Sequence, residues 1–318
     1  MTRPFRFLAP MPRLAGSIRA WRDELRRIED LGFDAVTVSE HITGGWELDA
    51  LAAMEAIVAA TTRLRVMSLV LASGLHNPVL LHRAAATIDR LSDGRLDLGL
   101  GAGWRSEDYA AAGVPFESAS VRIARLEEAV GIIKGLFETP VLSFSGRHYQ
   151  VSAAEGLPRP VQVPHPPILI GGGGPQVLGV AARHADVIGI HARLPADEDP
   201  AAIARDFGEA AIAAKVAIAR SALEAAGRSA ASVDFQFTIY ACHLVDGPAA
   251  RPAAASSFGR WLLADPDLAS RSPAVLEGTL ASVVERLQGL RETHGFNVIK
   301  LSGDPVANAG IVRELAGR

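Results

Sequence analysis

Four consecutive glycines, Gly171 to Gly174, follow the apolar run Pro167–Ile168–Leu169–Ile170 and lead into Pro175–Gln176–Val177–Leu178. Glycine leaves the backbone N–H unshielded by a Cβ, and a helix opening at Pro175 adds the partial positive charge of its N-terminus. Together they suit a phosphate group, while a bare strand-to-helix turn needs fewer glycines. His41 is the second candidate, closing Val38–Ser39–Glu40–His41 just before Ile42–Thr43–Gly44–Gly45–Trp46. An imidazole at a strand end carries protons near neutral pH, although the same residue type also serves merely to close a loop. The third is Gly99–Leu100–Gly101–Ala102–Gly103–Trp104. It lacks the sixth-position glycine of a dinucleotide fingerprint, and no helix is expected immediately behind it. It reads either as a strand end that lets a flat ligand approach the backbone or as a small-residue strand packed on a neighbour. Other chemistries find no support. The remaining histidines show no H-E-x-x-H spacing, no G-x-S-x-G occurs, and Cys242 lacks a catalytic signature.

Each candidate stands at the end of an apolar run. Strands are predicted at Phe5–Ala9, Asp34–Val38, Leu64–Leu71, Arg95–Gly101, Pro167–Ile170, Ala185–Ile190, Asp234–Ala241 and Asn297–Leu301. Helical spacing fills the intervals. It appears from Ile18 to Ile28, from about Glu47 to Ala60, after the Asn77–Pro78 cap, and over Ser118–Phe137. It resumes after Pro175, over Asp199–Ala226, over Leu276–Leu290, and over Val306–Ala316. Eight strands alternating with helices specify a (β/α)8 TIM barrel spanning 1–318 as one domain. Two excursions, Pro140–Pro166 and Asp246–Pro273, are expected as insertions at its C-terminal face. Barrel active sites lie on that face, so the three candidates would meet there.

Bulk composition is that of an ordinary globular chain, with 49% hydrophobic and 21% charged residues. A formal net charge of -3 argues against nucleic acid or an anionic membrane as partner. A single cysteine excludes an intrachain disulfide framework, and no apolar run reaches the length of a bilayer span. A cytoplasmic protein acting on a small molecule, with no metal, is the expectation.

Val38–His41, Thr61–Thr62–Arg63–Leu64, Leu91–Ser92–Asp93–Gly94–Arg95, Gly99–Trp104 and Pro167–Gly174 occur in the order found in one known family. In these stretches the chain resembles the luciferase-like monooxygenase superfamily. His41 behind Val-Ser-Glu resembles the branch that uses the deazaflavin coenzyme F420. The wording of Pro166–Pro175 is similar to that of actinobacterial F420-dependent oxidoreductases.

The resemblance implies an oxidoreductase that transfers a hydride between F420 and a small molecule, with His41 as catalytic residue. The coenzyme ring would lie near His41, Ser68, Leu69, Gly103 and Trp104, and its phosphate on Gly171, Gly172, Gly173 and Gly174. Arg105 and Arg193 would meet its anionic tail. Also implied are a homodimer and a non-prolyl cis peptide in the third strand, aligned to Ser68–Leu69. The chain departs from the family's sugar-phosphate dehydrogenases, with Trp104 at their glutamate and Leu194 at their lysine. Lysine is scarce, with only Lys134, Lys215 and Lys300, so an apolar or aromatic substrate near Trp46, Trp104 and Leu194 is expected. Two alternatives share this fold, an FMN-dependent monooxygenase and a non-catalytic flavin-binding protein.

Overall fold

Apolar β-branched runs and capped amphipathic helices alternate along the chain, and the computed structural model shows how they close. It describes residues 3–46, 48–194, 199–245, 259, 262–263 and 265–318. The strands, in order, are β1 (Arg6–Pro10), β2 (Ala35–Val38), β3 (Arg65–Ser68), β4 (Leu71–Ala72) and β5 (Leu96–Gly101). Then come β6 (Val141–Ser145), β7 (Gln150–Glu155), β8 (Ile168–Gly172), β9 (Val187–Ile190) and β10 (Asp234–Ile239). Last are β11 (Ala241–Leu244), β12 (Val275–Gly278) and β13 (Phe296–Leu301). Eight of them run parallel in the order β3-β2-β1-β13-β10-β9-β8-β5, and β5 pairs back to β3 to close the ring. This is the expected (β/α)8 barrel.

Side chains alternate between its two faces. Leu8, Ala35, Met67, Leu169, Val187 and Val298 fill the inside, while a larger apolar layer lies between the strands and the helices. Below the inner layer, Asp97 is almost fully buried and pairs with Arg6 at 2.7 Å and with Arg65 at 2.6 Å. Helices begin where the sequence caps them. The Asn77 side chain accepts from Val79 and Leu80 with Pro78 behind it, and Asp49, Thr279 and Asp304 cap their own helices.

Four elements differ from the sequence expectation. The helix expected over Asp199–Ala226 is two helices, Pro200–Arg205 and Glu209–Ala225. The break lies at Asp206–Gly208, where Phe207 is buried and Lys215 bonds both the carbonyl and the carboxylate of Asp206 at 2.9 Å. The seventh strand stops at Ile239, and Leu276, expected to open a helix, lies in β12, which pairs with β11 in a separate small sheet. The helix there starts at Leu280, capped by Thr279. Pro140–Pro166 holds an antiparallel hairpin, β6 with β7. A short helix, Ser106–Ala111, begins two residues after Trp104, where none was expected. The helix expected from Glu47 is described from Ala50, and most of Asp246–Pro273, like Glu47 itself, lies outside the described residues.

Among the described residues no helix is long and apolar enough to cross a membrane, and no group of three or more residues could hold a metal ion.

The Thr61–Leu64 motif has a structural task. The Glu29 carboxylate accepts from the backbone N–H groups of Thr62, Arg63 and Leu64, at 2.9, 2.5 and 2.8 Å, and so ties the end of the first helix to the entry of β3. Partial burial pushes its pKa up, but these N–H groups and the Arg63 charge outweigh that, and it lies below its ordinary 4.5. A carboxyl depressed on folding stabilises above its unfolded pKa and loses that contribution as pH falls through the folded value. Glu29→Gln is therefore expected to lower the melting temperature at pH 7, with the gap to wild type closing as pH falls below about 4.5. Thermal unfolding followed by circular dichroism from pH 7 to pH 3 measures it.

Candidate functional site

At the C-terminal mouth, β2 leads directly into Ser39–Glu40–His41. Each of these residues is fixed by a different partner. The Ser39 hydroxyl donates to the Leu69 carbonyl at 2.9 Å. Glu40 accepts from the Ala72 N–H at 2.8 Å and pairs with His76 Nε2 at 2.8 Å. Both therefore brace the segment between β3 and β4, a role that neither composition nor spacing suggested.

That segment contains the non-prolyl cis peptide, which lies at Leu69–Val70 rather than at Ser68–Leu69. The strand stays regular one residue longer than the alignment placed it. Ser68 still pairs with Val38, and the Leu69 N–H still donates to the Val38 carbonyl at 2.7 Å. Ser68 is fully buried, its hydroxyl bonded to the Gly99 N–H at 2.7 Å and the Gly99 carbonyl at 2.9 Å. Leu69 and Val70, both partly buried, pack on the inner barrel cluster instead.

The glycines of β5 accommodate this bulge. A Cβ on Gly99 would overlap the Ser68 carbonyl oxygen, and one on Gly101 would lie 2.7 Å from Val70 Cγ2. At Gly99 and Gly101 the missing Cβ makes room for the Ser68 backbone and the Val70 side chain, the packing that the sequence also allowed. Gly103 has φ +74°, and a Cβ there would overlap the Tyr109 hydroxyl.

His41 is oriented by Asp108, a residue the sequence reading missed. Asp108 lies on the short helix Ser106–Ala111, 4% exposed. One carboxylate oxygen accepts from His41 Nδ1 at 2.7 Å. The other accepts from the Ile42 N–H at 3.1 Å, the Thr43 N–H at 2.9 Å and the Thr43 hydroxyl at 2.7 Å. Burial pushes the Asp108 carboxyl up, yet the hydrogen bonds from Thr43 and His41 outweigh it and hold the group below its ordinary value. An ionised carboxylate only accepts, so the proton of this bond sits on Nδ1 and Nε2 is left for the mouth. The Trp46 ring lies 5.2 Å from the imidazole and the Trp104 ring 6.0 Å, edge-on. The imidazole is thus held at Nδ1 by the carboxylate and packed between two indole rings. No local signal in the sequence joins residues 41 and 108.

The four glycines divide by task. A Cβ on Gly171 would press on Val70 at 3.3 Å, one on Gly172 would overlap Val177, and one on Gly173 would overlap the His191 carbonyl oxygen. Only Gly174 faces open space, its nearest neighbour being Arg193 Cδ at 3.9 Å from an ideal Cβ. Gly174 is the N-cap of helix Pro175–His184 and offers no side-chain cap, so the first-turn N–H groups point at the mouth beside a cationic side chain. A phosphate fits there. Arg105 sits elsewhere on the rim, with its guanidinium packed against Gly44.

Across the ring, β9, β10 and β13 present a second polar set. His191 Nδ1 bonds the Ala192 carbonyl at 2.9 Å, and Nε2 meets the Tyr240 hydroxyl at 2.7 Å. Burial, reinforced by the charges of Lys215 and Lys300, lowers His191 to about 4, so the ring is neutral and its Nε2 accepts the Tyr240 proton. Gln236 Nε2 donates to the Thr238 hydroxyl oxygen at 3.1 Å.

A family profile described as luciferase-like monooxygenase matches residues 5–295. An F420-dependent glucose-6-phosphate dehydrogenase from Amycolatopsis mediterranei is 34% identical over 166 residues, 50% of this chain and 49% of that protein. An FMNH(2)-dependent dimethylsulfone monooxygenase from Pseudomonas putida is 28% identical over 203 residues, 58% of this chain and 56% of that protein. The chain thus spans about half the length of the curated relatives it matches. A coenzyme F420 dependent tetrahydromethanopterin reductase from Methanopyrus kandleri superposes with a TM-score of 0.75 over 99% of both chains, at 17% identity, which establishes a shared fold. With the profile match covering most of the barrel, the chain belongs to the luciferase-like monooxygenase family.

Proposed function

We propose that this protein is an F420-dependent oxidoreductase acting on a small, largely apolar molecule. The observation that carries the reading is the His41–Asp108 pair at the end of β2, with the Trp46 and Trp104 rings 5.2 and 6.0 Å from the imidazole. Family membership supports flavin or deazaflavin chemistry, and the 34% identical relative from Amycolatopsis mediterranei favours the deazaflavin.

When bound, the coenzyme supplies a two-electron hydride carrier. For an alcohol substrate, the bound coenzyme would supply the two-electron acceptor for the carbinol hydride, and His41 Nε2 would take the hydroxyl proton. The carbonyl product forms without an uncompensated charge, and Asp108 stabilises the imidazolium that results. In the reverse direction the same nitrogen returns the proton to the new alkoxide oxygen. The helix N-terminus at Gly174 and Arg193 would hold the coenzyme phosphate, while Leu69, Gly103 and Trp104 would border its ring. Trp104 and Leu194 favour an apolar or aromatic substrate over a sugar phosphate. The FMN alternative is supported by the 28% identical monooxygenase. A homodimer, implied by resemblance, is part of the same proposal.

Titration of the coenzyme-free protein with F420 and with FMN, read by quenching of tryptophan fluorescence, is expected to give the tighter affinity for F420. Gly174→Ala should weaken coenzyme binding at a stability cost of about 1 kcal/mol or less, since its Cβ meets nothing close. Tighter FMN binding, with oxygen consumed by reduced FMN and substrate, would overturn the F420 reading.

His41→Ala is expected to reduce F420 turnover by about 10²–10⁴ while leaving coenzyme affinity within a few-fold. Coenzyme absorbance, followed against a panel of aromatic and aliphatic alcohols and carbonyls, measures this. Unchanged turnover in the variant would remove His41 from the chemistry.

A further inference from the structure

Lys300 lies inside the barrel mouth with no role in the chemistry above. Its direction follows from register. It pairs with Leu8 on β1 and with Thr238 on β10, and it is two residues beyond Val298 on the same strand. Leu8 and Val298 belong to the interior cluster, so the Lys300 side chain points into the barrel above them. It is only partly exposed.

Among the described residues, no carboxylate pairs with it and no hydrogen bond holds its ammonium. On this wall Gln236 donates to Thr238, and the Tyr240 hydroxyl donates to a neutral His191. A cation so placed has no compensation among the described residues, an arrangement that favours an anion from outside. Burial lowers the ammonium to about 8, and a bound anion would restore its preference for the charged form.

The placement also matters. The ring order sets β9 four strands away from β2, directly across the barrel, with β13 two strands from β2. His41 therefore stands over one side of the mouth, His191 over the opposite side, and Lys300 a quarter of the way round the ring between them. The acid-base group and the lone cation can engage two ends of one small molecule.

We propose that Lys300 is a specificity-determining residue that receives a carboxylate on the substrate, so that the substrate class is a small aromatic or apolar carboxylate with its reacting carbon near His41. The proposal rests on the oxidoreductase reading for the reacting end and on the interior register of Lys300 for the anionic end. Thr238, the register partner of Lys300 on β10, accepts from Gln236 and keeps its hydroxyl proton to donate to the same oxygens.

The test uses benzoate and its neutral isostere benzamide as probes, titrated calorimetrically into the native protein, Lys300→Met and Lys300→Arg. Each titration is run without coenzyme and again with whichever of F420 and FMN the native protein binds more tightly. Benzoate is expected to bind the native protein about tenfold or more tighter than Lys300→Met, the size of one charge-assisted hydrogen bond. Benzamide should not distinguish the two, and Lys300→Arg should retain part of the benzoate affinity. Melting curves confirm that the variants fold. Equal benzoate affinity in native protein and Lys300→Met, under both conditions, overturns the proposal. So does a tenfold loss of coenzyme affinity in Lys300→Met with benzoate binding unchanged, which would assign the lysine to the coenzyme. The coenzyme-free arm does not depend on which coenzyme is used, so failure of the F420 reading and failure of this one are separately visible.

Discussion

One carboxylate organises the reactive side of the mouth. Asp108 collects four donors from three consecutive residues of the loop after β2, and in doing so it fixes the loop, the tautomer of His41 and the direction of Nε2 together. Hydrogen bonds to an ionised group contribute about 1.5–3 kcal/mol each, so the set is strong enough to hold a glycine-rich loop in one shape. The short helix that carries Asp108 is in turn fixed by packing. Tyr109 lies across Gly103, and its hydroxyl reaches the Ala102 carbonyl at 3.3 Å. The histidine is thus aimed by β5 and its following helix as much as by its own strand.

A second constraint is steric. Positions 99, 101 and 171 lack a Cβ because the backbone and Val70 occupy that space, so the wall between β3 and β8 is built from backbone in close contact. Ser39 and Glu40 hold the other edge of the same bulge. The conformation around Leu69–Val70 is therefore gripped from β2, β5 and β8 together. Charge is distributed about this frame in opposite senses. An ionised carboxylate lies behind His41, an ammonium with no partner among the described residues stands on the β13 side, and a neutral His191–Tyr240 hydrogen bond joins the ends of β9 and β10. Polarity in the mouth is arranged as two poles separated by apolar and glycine surface.

Much of this was readable from local pattern. Apolar or alternating runs marked the eight barrel strands, Asn77–Pro78 marked a helix start, and the glycines before Pro175 marked the strand-to-helix turn that presents N–H groups to the mouth. What escaped depended on contacts between distant residues. Asp108 is 67 positions from His41 and lies on a helix of six residues, too short for periodicity to reveal. β12 looks helical in isolation because its pairing with β11 is decided across more than thirty residues. The break at Asp206–Gly208 had a local signal, Phe207–Gly208 interrupting an alanine-rich stretch, but the buried Lys215 that stabilises it lies a further two turns on. The bulge position moved by one residue because Ser68 is retained by β5, a contact that no single-strand pattern contains. The glycines show the same limit. Residue type announced that a Cβ was unwelcome, and only the fold shows whether backbone, side chain or open space is the reason.

The central claim is that Asp108 fixes His41 with its proton on Nδ1 and Nε2 facing the mouth. Two-dimensional ¹H–¹⁵N NMR of histidine-labelled protein tests it directly, recorded at alkaline pH where the imidazole is neutral, with His41→Gln supplying the assignment. His41 is expected as the Nδ1–H tautomer, and Asp108→Asn is expected to shift it toward a mixture. A dominant Nε2–H tautomer in the native protein, unmoved by Asp108→Asn, would contradict it.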